Sequence, residues 1–149
     1  HVVILDKGAV DGVRQGQPVL GAEGLIGQIV LAGQYSSRAL MITDSAHALP
    51  IQVNRSGLRA IAEGSGVIDR LVIRHLAATT DIRVGDLLVT SGLGGRFPQG
   101  YPVARVTHVD IAPGDAFAVV SAAPASALDR GRHVLVVAQG AGTGEAATP

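Results

Sequence analysis

The feature that most narrows what this chain can become is its punctuation. Short aliphatic runs recur along its length: VVIL (2–5), LIGQIV (25–30), ALMI (39–42), LPIQV (49–53), LRAIA (58–62), RLVIRHL (70–76), LLVT (87–90), VARVTHV (103–109), FAVVSA (117–122) and VLVVA (134–138). They are rich in β-branched residues, and Gly, Asp, Asn, Ser or Pro separates them. Such runs suit strands, and turn residues at such short intervals leave little room for helices. The run LRAIA alternates, with Leu58 and Ala60 on one face and Arg59 and Ile61 on the other. Only ALMITDSAH (39–47) and APASALDRG (123–131) leave space for a helical turn. The pattern predicts a nearly all-β sandwich or barrel.

A short internal repeat divides the chain. The pattern apolar-x-x-Gly-x-x-apolar-apolar runs from Val13 to Leu20, returns from Ile82 to Val89, and appears again from Leu128 to Leu135. Each copy reads as a glycine turn feeding a strand. After the first copy stands Gly24-Leu25-Ile26-Gly27-Gln28-Ile29-Val30. After the second stands Gly100-Tyr101-Pro102-Val103-Ala104-Arg105-Val106, seven residues later than the first spacing implies. The expectation is two related β modules, the second with a longer hairpin loop.

That loop lies within VTSGLGGRFPQGYPVARV (89–106), and its glycines invite a phosphate-cradle reading. The surroundings argue against it. No Lys-Ser/Thr pair follows, Phe97 stands where a third fingerprint glycine would be, and Pro98 and Pro102 lead into a β pattern rather than a helix. A shaped hairpin loop is the better account.

Other chemistry fares similarly. Ser91 in SGLGG, with His47 three residues after Asp44, invites comparison with a hydrolytic triad. Nothing in the sequence specifies an oxyanion hole, and turn roles for Ser91, Asp44 and Ser45 suffice. His1, His47, His75, His108 and His133 are scattered without metal-ligand spacing. His75 and His108 are expected on exposed strand faces. Asn54-Arg55-Ser56 fits a glycosylation triplet, yet Gly57 behind it favours a hairpin turn. The expectation is no catalytic, cofactor-binding or metal-ligating residue.

Composition bounds the partners. Twelve basic and twelve acidic residues cancel, and with two Phe, two Tyr and no Trp the chain lacks the basic field and stacking rings of a nucleic-acid binder. Charged residues are only 16%, which leaves surface for protein contacts. Arg96, Phe97 and Tyr101 gather guanidinium and aromatic character in one stiff loop, and such residues are enriched at interface hot spots. They are the candidate partner-binding residues. For Phe97 a second reading stays open, a ring that plugs a barrel end. His1 stands where a start methionine would, so the chain is expected to be a processed product or fragment.

The blocks also match a known family. Asp6-Lys7-Gly8, Gly12 to Val19, Gly24 to Val30, Ser37 to Asp44, Ile51-Gln52-Val53, Leu58 to Ile61 and, most specific, Asp81 to Val103 occur in order. Over His1 to Val137 the chain resembles the periplasmic β-domain of the rod shape-determining protein MreC family. The resemblance implies two small six-stranded β-barrels in tandem with little or no helix. On that plan residues 1–75 form the first module, open to a strand from late in the chain, and 76–139 form the second; residues 140–149, small, polar and unpatterned, are expected to be a disordered tail or a linker. It implies a non-catalytic periplasmic scaffold of bacterial cell elongation, anchored by a membrane helix outside this sequence. Implied partners are the transpeptidase PBP2, MreD, RodZ, MreB across the membrane, and further copies of itself in dimers or filaments. The alternative is a small β-barrel module that binds peptide or glycan.

Overall fold

The computed structural model describes residues 1–95, 97–128, 134–137 and 144–147. Its strands are β1 (Val2–Leu5), β2 (Pro18–Leu20), β3 (Leu25–Ala32), β4 (Ser37–Met41), β5 (Ala48–Val53), β6 (Arg59–Gly64), β7 (Leu71–Ala77), β8 (Leu87–Thr90), β9 (Pro102–Ile111), β10 (Phe117–Pro124), β11 (Val134–Val137) and β12 (Gly144–Ala147). Among the described residues, helix is limited to a 3-10 turn at Ala9–Asp11; Leu93–Gly95 is a tight turn whose Gly94 and Gly95 have positive φ. Every aliphatic run lies on or overlaps a strand. In β6 the expected alternation holds: Ala60 packs against the core while Arg59 and Ile61 are exposed.

Six strands close into a barrel in the order β10-β7-β6-β5-β8-β9, every neighbour antiparallel. The other six form a sheet in the order β1-β4-β3-β2-β11-β12, again antiparallel throughout. Set side by side, these are one topology used twice. β1, β4, β3 and β2 occupy the places of β7, β10, β9 and β8, and the hairpin β11–β12 occupies that of β5–β6.

The repeated glycine turn is the visible part of this duplication. In the first copy the Gly16 N–H donates to Ile29 O (2.8 Å), Ile29 N–H donates to Gln17 O (2.8 Å), and Arg14 N–H donates to Gln17 Oε1 (2.9 Å). In the second, Gly85 N–H donates to Val106 O (2.8 Å), Val106 N–H to Asp86 O (2.9 Å), and Arg83 N–H to Asp86 Oδ2 (2.8 Å). Gly16 and Gly85 both adopt the left-handed backbone, with φ of 92° and 93°, that glycine reaches without steric cost. Bulges recur as well: the register slips between Val19 and Leu20 on β2 and between Leu88 and Val89 on β8. In the third copy Val134 and Leu135 begin β11, while residues 129–133 lie outside the described residues.

The register refines one expectation. Leu20 pairs with Leu25, and Val89 pairs with Pro102, so Leu25 corresponds to Pro102 and the second hairpin is eight residues longer, not seven. Gly24 and Gly100 looked equivalent in sequence, but ladder hydrogen bonds set the register rather than the glycines.

Three expectations change. A module boundary at 75–76 falls at the end of β7, inside the closed barrel; the sheet gives way to the barrel between Met41 and Ala48. Aliphatic runs announce strands but not which neighbours they pair with. Secondly, only one module closes among the described residues, because β1 and β12 remain unpaired edges. A barrel closes only when end strands tilt and stagger far enough to meet. Thirdly, part of the tail expected to be disordered is strand β12, paired with β11. Backbone hydrogen bonds to an open edge need no apolar side chain, so composition gave no warning.

The core is aliphatic and continuous across both modules. Leu5, Leu25, Ile29, Ile51, Ile73 and Leu88 are fully buried. His75 and His108 are exposed, as expected. His75 is the one non-glycine among the described residues with positive φ, at 62°. It sits where the β7–β10 register steps from Leu76↔Ala118 to Ile73↔Val120, a bulge that turns both Arg74 and His75 outward. A β-branched residue tolerates this backbone least. His75→Val is therefore expected to cost about 1–2 kcal/mol, whereas His75→Gly should be neutral or stabilise by about 0.5 kcal/mol. Thermal melts of the two variants check this; equal losses would contradict it.

Candidate partner-docking loop

The eight extra residues of the second module fall between the paired residues Val89 and Pro102, a segment made of Thr90 and the loop 91–101. Gly92, Gly94, Gly95 and Gly100 all have positive φ, from 70° to 87°. A Cβ on Gly94 or Gly95 would meet nothing within 4 Å. Glycine is required there by backbone conformation, not by crowding. The loop's base is fixed by Thr90, which is fully buried. Its Oγ1 donates to Pro98 O and accepts from Tyr101 N–H (2.9 Å), while the Gly100 N–H donates to Thr90 O (2.8 Å). Leu93 is exposed at the tip.

Phe97 anchors the loop from within. It is 5% exposed and meets the His47 ring edge-to-face, centroids 6.4 Å apart. His47 is 4% exposed, and its Nε2 lies 3.2 Å from Gln28 Oε1 on β3. Gln28 Nε2 in turn donates to Gly16 O (3.1 Å) in the first repeat turn. One buried histidine thus joins the sheet, the β4–β5 connection and the second module's loop. Burial pushes the His47 imidazole below the ordinary histidine range, and the Asp44 carboxylate opposes that by a smaller amount.

Of the three candidate binding residues, Phe97 is interior and offers no ring to a partner. The interior reading prevails, because Phe97 joins the buried core cluster and packs on His47. Tyr101 is half-buried and packed on the core, leaving part of its surface outward. Arg96 lies outside the described residues. The sequence could place Phe97 in the loop but not show that His47, fifty positions earlier, waits beneath it.

The other candidates resolve into turn chemistry. Ser91 is buried and its Oγ accepts from Leu93 N–H (3.2 Å). Asp44 Oδ1 accepts from Ala46 N–H (2.8 Å), and His47 Nε2 is engaged with Gln28, so the three do not form a relay. Asn54–Ser56 forms the expected hairpin turn, closed by Gly57 N–H to Val53 O (2.7 Å). Its Arg55 grips Asp86 with two hydrogen bonds of 2.9 Å and Asp81 with two of 3.0 Å. Hydrogen bonding from Arg55 holds both carboxyls below the usual carboxylate range. Among the described residues no group of three or more His, Cys, Asp or Glu could hold a metal ion.

Two exposed apolar faces went unnoticed in the sequence. On the sheet, Val2 and Ile4 of β1 are 54% and 60% exposed, with Leu31 exposed on β3. On the barrel, Phe117 and Val119 of β10 project outward beside Ile111. Alternation along β10 was a usable signal, but it does not say which face turns to solvent.

Comparisons with known proteins bear on this arrangement. The family model described as rod shape-determining protein MreC, barrel core, matches residues 1–138. A cell shape-determining protein MreC of Escherichia coli is 53% identical over 135 residues, 91% of this chain and 37% of the relative. The chain therefore spans less than half the length of that relative. A crystal structure of MreC from Pseudomonas aeruginosa is 54% identical, with a TM-score of 0.88 over 92% of this chain and 88% of that one. A complex between penicillin-binding protein PBP2 and MreC from Helicobacter pylori has a chain of the same fold, with 20% identity, TM-score 0.56, and coverage of 74% of this chain and 66% of that one.

Proposed function

Because this chain belongs to the rod shape-determining protein MreC family, we propose that it is the docking core of a non-catalytic periplasmic scaffold for bacterial cell elongation. The observation that carries this reading is a family match running through both modules, from residue 1 to residue 138. A scaffold acts by holding partners at high effective concentration and biasing their conformations. Its product is shape, which suits a chain whose candidate catalytic groups are engaged in turns.

The partner favoured is a PBP2-type transpeptidase, by analogy with the Helicobacter pylori complex. MreD, RodZ, MreB and further copies of the chain follow from the family resemblance. Contact falls on the 91–101 loop, through the exposed Leu93, the accessible part of Tyr101 and, as a candidate from the sequence alone, Arg96, while Phe97 supports the loop from inside. The apolar face of Phe117 and Val119, beside Ile111 at the opposite end of β9 from the loop, offers a second candidate surface, since exposed apolar patches mark interaction sites. The duplicated topology further supports closure of the first module into a second barrel by pairing β12 with β1.

Domain replacement tests the reading in cells. The matching segment of the Escherichia coli relative is exchanged for residues 1–138 of this chain, and cell width is measured. The reading expects rods. Rounded cells carrying normal levels of the chimera would overturn it.

A further inference from the structure

We infer that His47 is an acid-sensitive latch, which holds the 91–101 loop and the sheet against the barrel while neutral and releases the loop when its ring is protonated. This regulatory device goes beyond the docking reading, and its test needs no partner.

Gln28 Nε2 donates to Gly16 O (3.1 Å), so Gln28 Oε1 faces His47 as an acceptor. His47 must then bear its proton on Nε2. That leaves Nδ1 as a bare lone pair, and it is buried with no hydrogen-bond partner. A second proton would create a buried N–H, and a charge, with nothing to receive it.

The groups around the ring give little compensation. Its own turn supplies the Asp44 carboxylate, whose Oδ1 already accepts from Ala46 N–H and whose Oδ2 pairs with the His1 ammonium. β3 supplies the neutral Gln28, and the loop supplies the apolar edge contact of Phe97. From β6, Glu63 stands opposite Ala48 in the ladder and is 3.9 Å from Arg74. Among these only Asp44 favours the charged ring, and burial outweighs it. The cheapest response to protonation is for the ring to leave its site. Leaving abandons Phe97, and with it the inner anchor of the loop.

The sign follows from linkage. A histidine whose folded-state affinity for protons is depressed contributes its full stability above the unfolded value of about 6.5 and loses it as pH falls. The same holds for local opening, where the open ring titrates near 6.5. Loop opening should therefore become about tenfold more frequent per pH unit below that point, until the closed ring itself protonates.

Two measurements on the wild-type chain test this between pH 7.5 and 5. NMR titration of the His47 ring should show the neutral Nε2–H tautomer and a midpoint below 6.5. Amide exchange, corrected for intrinsic rates, should show Gly100 and Tyr101 losing protection about tenfold per pH unit, while Val53 in β5 holds. His47→Gln, which keeps a donor for Gln28 but cannot titrate, should abolish the acid response. A midpoint at or above 6.5, loop and barrel amides responding alike, or an unchanged response in His47→Gln would each overturn the proposal; the wild-type arms suffice if the variant does not fold.

Discussion

Asp86→Ala is expected to destabilise the protein by about 2–4 kcal/mol. Asp86 is buried at the second repeat turn, and its carboxylate accepts from Arg55 Nε, Arg55 Nη2 and Arg83 N–H, at 2.9, 2.9 and 2.8 Å. Charge-assisted bonds in a buried setting are the strong ones, and their loss leaves the Arg83 N–H without its acceptor. The pairing ties the β5–β6 hairpin to the turn that launches β8, so two elements loosen together. Removing Arg55 instead should hurt by a different route, since it strands a buried charge. The pH dependence separates the two. Asp86 has its pKa held below the ordinary carboxylate value, chiefly by Arg55, so its stabilisation is present above about pH 4 and is lost as pH falls through the lowered folded value. Arg55→Ala should flatten this acid loss, because its cause has gone. Denaturant melts from pH 7 to pH 2 check both variants, and an Asp86→Ala loss below about 1 kcal/mol would contradict the geometry.

Gly64→Ala is expected to cost about 3 kcal/mol, lowering the melting temperature by roughly 10 °C. A Cβ there would lie 1.8 Å from Asp44 O and 2.6 Å from Thr43 C, both backbone atoms. No side chain can rotate away to relieve the clash. The position also matters for closure, because Glu63↔Val72 and Gly64↔Leu71 are the register pairs joining β6 to β7. Gly57→Ala is the control: its φ is 73°, yet a Cβ there would meet nothing within 4 Å. That substitution should cost only the left-handed backbone penalty of about 1 kcal/mol. Similar melting temperatures for the two variants would contradict the account of the seam.

The strands were legible because β-branched aliphatics and turn residues act locally. Ser56-Gly57 announced a hairpin tip, and Gly16 and Gly85 announced matching turns. Pairing was not local, and so was not legible. Nothing in LPIQV or RLVIRHL says that β5 and β7 belong to one barrel with β10, which is why a boundary at residue 75 looked natural. The tail strand Gly144–Ala147 has no apolar pattern to read. The loop 91–101 was identifiable as the special segment, from its glycines, prolines and extra length. Its interior was not: Phe97 could be proposed for either side, and only the position of His47 beneath it decides. An Asp44-His47 pair reads like chemistry in sequence, whereas in space Gln28 has claimed the imidazole.

On the docking reading proposed above, the fold offers function through its outside. Two copies of one β topology build a stiff frame, and the second copy presents an added loop clipped down by Phe97 and His47. Titration calorimetry of the folded chain against a PBP2-type transpeptidase ectodomain tests this docking account most directly. It predicts saturable binding that survives Ser91→Ala and weakens at least fivefold with Tyr101→Ala or Phe117→Ala. A folded chain that shows no heat of binding, while peptidoglycan fragments titrate it to saturation, would contradict the account.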